Sequence, residues 1–123
     1  MVDLPTRKRV SKAESSNNRV YSLLGLAMKA GKVASGEFMT EKAVKTSMAH
    51  LVIVAEDASA NTKKMFSDMC TFYHVPIVFF GTKTGLGAAL GKELRASAAV
   101  SDEGFANALK QRIDAAGNET EVK

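Results

Sequence analysis

The residues best suited to bind an anion are concentrated in the segment KAGKVASGEFMTEKAVK, residues 29–45. This segment predicts a turn and then a helix whose N-cap is Ser35 or Gly36, so that the amides of Glu37 and Phe38 point outward. Free amides and the positive end of the helix dipole attract phosphate groups. Because Gly36 has no side chain, a nucleic-acid backbone could approach it closely. The pattern therefore suits a phosphate-binding helix start.

Lysines surround this predicted helix start. Lys42 lies about one and a half turns after Glu37, near the face that carries Phe38, and its ammonium group can reach toward the same ligand. The alternative is an ordinary helix cap with lysines that keep the surface soluble. The residue types alone leave both interpretations open.

The glycine-rich segment GTKTGLGAALGK, residues 81–92, invites comparison with nucleotide-binding loops. A P-loop requires four residues between its first glycine and its Gly-Lys pair, and Ser or Thr after the lysine. Here Gly87 and Gly91 are separated by three residues, Gly85 and Gly91 by five, and glutamate follows the lysine. Gly91 also lies one position too late for the third glycine of the dinucleotide fingerprint. We expect neither a nucleotide site here nor a bound cofactor.

The sequence contains no recognisable catalytic or metal-binding set. Cys70 lies on a patterned helix, which favours core packing over nucleophilic chemistry. His50 and His74 each precede a predicted strand and have no companion metal ligands. The neighbouring carboxylates Glu56 and Asp57 fit a solvated loop that caps the following helix better than an acid–base pair. We expect no enzymatic activity and no metal centre.

Composition and charge restrict the class of protein. The chain has 123 residues, of which 46% are hydrophobic and 24% charged, as suits one globular domain with short tails. Its apolar runs are shorter than the roughly 20 residues that cross a bilayer, and its N-terminus lacks the apolar block of a secretory signal. With a single cysteine, these features predict a cytoplasmic protein. The net charge of +4 is concentrated before residue 101, and this basic excess is compatible with a nucleic-acid partner.

The hydrophobic pattern predicts helices that alternate with short buried strands. Val20, Leu24 and Ala27 follow helical spacing after a cap at Asn17 or Asn18. The apolar runs at 51–55 and 77–80 predict strands covered on both faces. The other predicted features are Gly31 as the end of the first helix, an extended link at 32–35, a helix at 37–47, a third helix capped by Ser59 or Asn61, a short helix at 84–90, a weaker strand at 98–101, and a last helix capped by Asp102.

These elements predict an α/β protein, a three-layer α/β/α sandwich around a small mixed sheet of about four strands. A single domain, residues 17–116, is expected to contain the fold. Residues 1–16 are expected to form a flexible basic arm, and residues 117–123 a frayed tail.

The landmarks LVIVAEDAS, VPI, LGAALGK and ASAAV carry a family resemblance over residues 18–114. In this order they resemble the L7Ae/L30e family of small RNA-binding ribosomal proteins, and most closely its bacterial YlxQ-type branch. The resemblance implies the three-layer fold and binding of kink-turn RNA, a sharply bent duplex with tandem sheared G·A pairs. It assigns RNA contacts to Gly36 and Lys42 in the second helix, to the loop residues Lys92, Glu93, Leu94 and Arg95, and to Lys29 and Lys32 beside the groove.

The chain departs from the family pattern at the start of the second helix. Better-characterised members carry an Asn-Glu pair two and three residues after the glycine, where its polar groups contact guanine edges. This chain has Phe38 and Met39 there, and each lost base contact costs about 1–3 kcal/mol of discrimination. Phe38 either stacks on an unpaired base, which contributes about 1–3 kcal/mol, or turns inward and seals the core.

We predict a non-enzymatic, monomeric protein that binds structured RNA, either ribosomal RNA or another kink-turn RNA, on or near the ribosome and away from membranes. The alternative is a protein-interaction module that retains the fold without kink-turn specificity, since exposed apolar residues often mark protein contacts. The predicted RNA-contacting residues are Lys29, Lys32, Gly36, Glu37, Phe38, Lys42, Lys92, Glu93, Leu94 and Arg95.

Overall fold

The structure of the chain, a computed structural model, describes residues 12–121. Within this range the chain forms five helices and one four-stranded sheet. In chain order the elements are α1 (Lys12–Lys29), β1 (Val33–Ser35), α2 (Glu37–Lys45), β2 (Leu51–Val54), α3 (Ala60–Tyr73), β3 (Ile77–Phe79), α4 (Lys83–Ala89), β4 (Ser97–Val100) and α5 (Glu103–Glu121).

The sheet is mixed and has the strand order β1-β4-β2-β3. Strands β2 and β3 are parallel, whereas β4 pairs antiparallel with both β1 and β2. Helix α1 packs on α4 and α5, helix α2 packs on α3, and both groups contact the sheet. The predicted three-layer α/β/α sandwich with four strands is confirmed.

The two central strands supply the middle of the core. Every residue of β2 and of β4 is buried, as expected for strands that helices cover on both faces. Full burial of a side chain such as that of Ile53 contributes about 1.5–3 kcal/mol to the free energy of unfolding. The strand predicted at 51–55 is thereby confirmed, and Ala55 stays buried just beyond the end of β2.

Helix α1 is longer than the hydrophobic pattern predicts. It begins at Lys12, so the predicted cap at Asn17 or Asn18 is wrong, and residues 12–16 of the predicted arm are helical. The apolar stripe starts only at Val20, but lysine, alanine and glutamate at the start of the helix have high intrinsic helix propensity, which favours an earlier start. Residues 1–11 of the arm lie outside the described residues, so its flexibility stays a prediction.

Two predicted helix-end features are confirmed. Gly31 has φ = 76°, and the amide of Lys32 donates to the carbonyl of Ala27 at 2.9 Å, which closes the end of α1. At the start of α5, the amide of Phe105 donates to Asp102 Oδ2 at 2.8 Å. Both ends therefore follow from local sequence chemistry.

Helix α5 extends beyond the predicted end at Ala116. It continues to Glu121, so residues 117–121 of the predicted tail are helical, and residues 122–123 lie outside the described part. The polar residues after Ala116 give no amphipathic signal, but backbone hydrogen bonds continue a helix without one. Ile113 and Ala116 are buried, and α5 packs along α1.

The segment predicted as an extended link is strand β1. Its register sets Ser35 opposite Ala98 of β4. Immediately after β1, the amide of Gly36 donates to the carbonyl of Ser97 at 3.0 Å. The start of α2 is thus fixed to the start of β4, although the two lie far apart in sequence.

The glycines that resemble a nucleotide loop serve packing in this fold. A Cβ atom on either Gly81 or Gly85 would clash with the hydroxyl of Tyr21, which lies against α4. The loop carboxylate Asp57 accepts from the amide of Lys83 at 2.8 Å. The prediction that this loop caps the following helix, α3, is confirmed, but the capping group is the hydroxyl of Ser59. The carboxylate of Asp57 caps α4 instead.

Candidate nucleic-acid interface

The start of α2 leaves backbone donors unpaired. Gly36 is the N-cap residue and offers no side-chain hydrogen bond, and the first amide inside the helix with a partner is that of Thr40, which donates to the Gly36 carbonyl at 2.9 Å. Within the described part of the chain, the amides of Glu37, Phe38 and Met39 have no acceptor. These three donors and the helix dipole give the tip of α2 a positive potential.

The backbone at this tip requires glycine. Gly36 has φ = 93° and ψ = 161°, a region that costs residues with a side chain about 1–3 kcal/mol. Space is not the limiting factor, because a Cβ here would lie 3.8 Å from Arg95 Nε, an ordinary contact distance. The start of α2 therefore depends on glycine at this position.

Arg95 places a guanidinium group beside this tip. Its Nε donates to Ser35 Oγ at 3.0 Å and its Nη1 donates to the Leu94 carbonyl at 2.8 Å. Its own amide donates to the Lys83 carbonyl at 3.0 Å. These bonds fix a cation next to Gly36, and no carboxylate within the described residues forms a salt bridge with it.

The loop that precedes Arg95 is held against α4. The amide of Lys92 donates to the Gly87 carbonyl at 2.7 Å, and a Cβ on Gly87 would clash with the backbone of Glu93. Lys92, Glu93 and Leu94 are all exposed. The loop is therefore anchored through its backbone and presents its side chains to solvent, as the sequence prediction requires.

A buried pair of hydroxyl groups links the two parts of the site. Ser97 Oγ donates to Thr40 Oγ1 at 3.2 Å, and both residues are buried. Sequence reasoning missed both residues, and it named Ser35 as a possible N-cap of α2 and not as the acceptor for Arg95. The available signal was a polar residue within each of two otherwise apolar patterns, at the buried face of α2 and at the start of β4.

Phe38 projects into solvent. Its side chain is 73% exposed and that of Met39 is 45% exposed, so the alternative in which Phe38 turns inward and seals the core is wrong. Lys42 lies one turn after Phe38 and lines the same shallow depression on α2. The first turn of α2 thus presents an aromatic ring and free amides, and a lysine follows one turn later beside the ring.

The two lysines in the last turn of α2 differ in their surroundings. Lys45 donates to Glu41 Oε2 at 2.6 Å, and this hydrogen bond raises the pKa of the ammonium group. Lys42 has no carboxylate partner within the described residues. Lys42 is therefore available to an external anion, whereas Lys45 is already paired.

Lys29 and Lys32 lie away from the tip. Both are exposed, but Lys32 precedes Gly36 by four residues of extended chain, a separation of roughly 13 Å. They lie instead near the groove between α2 and β1, which Gly31 and Lys42 both line. The structure therefore brings Arg95 to Gly36 and sets the two early lysines apart from this tip.

Other chemistry has little support in the described residues. Cys70 is buried as predicted, and burial raises the pKa of its thiol to about 11, which keeps it protonated at neutral pH. Residues 12–121 contain no group of three or more His, Cys, Asp and Glu side chains arranged to hold a metal ion. No helix in this range is long and apolar enough to cross a membrane.

Comparison with known sequences adds independent information. The sequence profile of the ribosomal protein L7Ae/L30e/S12e/Gadd45 family matches residues 18–110. The RNA-binding protein YlxQ of Bacillus subtilis (strain 168) is 45% identical over 94 residues, which are 76% of this chain and 94% of that protein. The RNA-binding protein YlxQ of Enterococcus faecium is 36% identical over 101 residues, which are 82% of this chain and 97% of that protein.

Two solved structures share the fold. A protein of unknown function from Bacillus halodurans C superimposes with a TM-score of 0.75 at 40% identity, and the match covers 78% of this chain and 97% of that one. The Giardia lamblia 15.5kD RNA binding protein superimposes with a TM-score of 0.70 over 96% of this chain and 99% of that one. At 20% identity, this second likeness concerns the fold alone.

Proposed function

This chain belongs to the ribosomal protein L7Ae/L30e/S12e/Gadd45 family, and from this membership we propose that it binds structured RNA through the tip of α2 and the loop before β4. The observation that carries the proposal is the set of free amides at Glu37, Phe38 and Met39 beside the fixed guanidinium of Arg95. The names of the two YlxQ relatives support an RNA partner. In this proposal the chain is a cytoplasmic monomer that binds without catalysis.

The proposed contacts begin with phosphate. Each hydrogen bond from an amide or guanidinium group to a charged phosphate contributes about 1.5–3 kcal/mol. Arg95 uses Nε and Nη1 within the protein, and a guanidinium group has five N–H donors, so others remain for the ligand. Lys42 extends the positive surface along α2, and Lys92 extends it along the loop.

The proposed RNA class is the kink-turn, of ribosomal RNA or of another RNA associated with the ribosome. Proteins recognise such RNA by its shape and by splayed bases, because the deep A-form groove hides the base edges. Phe38 and Met39 lack the polar groups that contact G·A pairs in other family members. We therefore assign to Phe38 a stacking contact with an unpaired base, which its exposure permits.

A titration against three RNAs tests this function. Fluorescence anisotropy is measured with a kink-turn RNA, the same RNA with its G·A pairs disrupted, and a plain duplex of equal length. Tightest binding to the intact kink-turn supports the proposal. Equal affinity for all three would contradict kink-turn specificity, and absence of binding to any of them would contradict RNA binding itself.

A second candidate function is a protein-interaction module. It is favoured by the exposure of Phe38 and Met39 on the same helix turn, together with exposed Leu94 on the loop, because apolar residues of this kind often mark protein contacts. Pull-down with the full chain from nuclease-treated extract separates the candidates. Partners that remain after RNA removal, and that a Phe38→Ser variant loses, would favour this second function.

A further inference from the structure

A groove of about 210 Å³ lies between α2 and β1. Met39 and Ala43 line it from α2, Val33 and Ala34 line it from β1, and Met48, which follows α2, lines it as well. Lys42 separates this Met39–Met48 groove from the depression that contains Phe38. The groove is therefore next to the proposed RNA contacts, but it is a distinct concave surface.

The two methionines give the groove an apolar, polarizable lining that stays open to solvent. Met39 is 45% exposed and Met48 is 57% exposed. Thioether sulfur makes favourable contacts with aromatic rings, and flexible methionine side chains adapt to the shape of a ring that enters. The proposed phosphate contacts at the tip of α2 do not use Met48.

Lysines lie at the groove and beside it in the sequence. Lys42 lines it, and Lys32 lies between Gly31 and Val33, which both line it. Lys29 ends α1, two residues before Gly31. None of the groove's lining residues is acidic, and the nearest acid along α2, Glu41, is paired with Lys45. An apolar lining beside lysines complements an aromatic ring that is attached to phosphates.

The edge of β1 adds hydrogen-bonding groups to the groove. The carbonyl of Lys32 and the amide of Gly36 face β4, where they bond to Ser101 and Ser97. Because these directions alternate along an antiparallel strand, the N–H and C=O groups of Val33 face the open edge of the sheet. A planar base that enters the groove therefore meets one donor and one acceptor.

We propose that the Met39–Met48 groove holds one unpaired nucleobase of the bound RNA, with its flanking phosphates on Lys32 and Lys42. The inference rests on the proposed RNA-binding function and adds to it a base-binding site. The volume is below the roughly 300–1,000 Å³ of pockets that hold whole drug-sized ligands, so it suits a single ring system. Unpaired bases are the parts of RNA that proteins read in this way.

The test combines protein variants with RNAs that lack one base. Met48→Ser removes the sulfur contact, and Leu26→Ser on α1, which is 58% exposed, is the matched control. The probe is a kink-turn RNA and a series in which each unpaired nucleotide in turn is abasic. We expect Met48→Ser to weaken binding of the intact RNA about two- to tenfold. One abasic RNA should bind equally weakly to both the unmodified protein and this variant, whereas Leu26→Ser should change nothing.

Each outcome bears on one of the two proposals. The base site is wrong, while RNA binding stands, if Met48→Ser binds the intact RNA with the same affinity as the unmodified protein. It is also wrong if Met48→Ser lowers the affinity for every abasic RNA by the same factor. If the unmodified protein binds none of the RNAs, the proposed function fails and the base site fails with it. Met39→Ser, checked for folding by circular dichroism, should lose affinity for the same RNAs as Met48→Ser, and loss on a different set would overturn the shared groove.

Discussion

Helices α2 and α3 begin in opposite ways. Helix α3 has Ser59 at its N-cap, and Ser59 Oγ accepts from the amide of Thr62 at 3.0 Å. Helix α2 has Gly36 at the same position, with no side-chain acceptor and three free amides. Capping by a hydroxyl group satisfies a helix start within the chain, whereas a glycine cap leaves the start open to a ligand.

Helix α4 resembles α3 in this respect. Thr82 Oγ1 accepts from the amide of Gly85 at 2.9 Å, and Asp57 accepts from the amide of Lys83. Side chains therefore close the starts of three helices in this small fold, α3, α4 and α5. The open start of α2 is the one beside which Arg95 is fixed, and this combination is the basis on which we propose it as the anion-binding position.

The largest effect should come from reversing the charge at the open helix start. Arg95→Glu should weaken binding of the kink-turn RNA about 10- to 100-fold, since it removes a charge-assisted contact and introduces a carboxylate that competes for the α2 amides. Anisotropy titration measures the change. Lys64→Glu on α3, an exposed lysine paired with Asp68, is the control, and an equal loss there would show that only net charge matters.

The buried hydroxyl groups of Thr40 and Ser97 should stabilise the contact between α2 and β4. Thr40→Val leaves the Ser97 hydroxyl buried without its partner and should lower the free energy of unfolding by about 1–3 kcal/mol. Urea denaturation measures this loss. Adding Ser97→Ala should restore part of it, and strictly additive losses would mean that the two hydroxyl groups are not coupled.

Removing the cap at the closed start of α3 should lower stability and leave RNA affinity unchanged. Ser59→Ala should lower the free energy of unfolding by about 1 kcal/mol, because the Thr62 amide loses its cap. RNA affinity should not change. A marked loss of affinity at full folding would place α3 in the RNA contact and remove the contrast between the two helix starts.

The smallest effect concerns the salt dependence at Lys42. Lys42→Ala should reduce the slope of log affinity against log salt by about one unit, since one phosphate contact is lost. Lys45→Ala, which removes a lysine already paired with Glu41, should reduce the slope less. An unchanged slope for Lys42→Ala would exclude this lysine from the contact surface.

The sequence predicts the local features of this site better than its long-range ones. Residue type and position narrowed the start of α2 to Ser35 or Gly36 and the cap of α3 to Ser59 or Asn61, and the structure has Gly36 and Ser59 at these positions. The hydrophobicity of Phe38 alone left both of its orientations open. The structure decides between them, because Thr40, Ala43 and Val44 form the buried face of α2 and Phe38 therefore faces outward.

The contact between Arg95 and Ser35 could not be predicted from periodicity. The two residues are 60 positions apart and meet because β1 pairs with β4. Strand β1 is only three residues long and half-buried, too short to show alternation. For the same reason the hydroxyl pair of Thr40 and Ser97 was missed, since its partners come together only through the sheet.

The most direct test of the open helix start is an NMR titration of the ¹⁵N-labelled chain with kink-turn RNA. The account predicts that the amide signals of Glu37, Phe38 and Met39 and the Nε–H signal of Arg95 shift most, while those of Ala60, Asn61 and Thr62 at the closed start of α3 stay unchanged. If saturating RNA shifts the amide signals of α3 and leaves those of α2 unchanged, the proposed binding at the open start of α2 is contradicted.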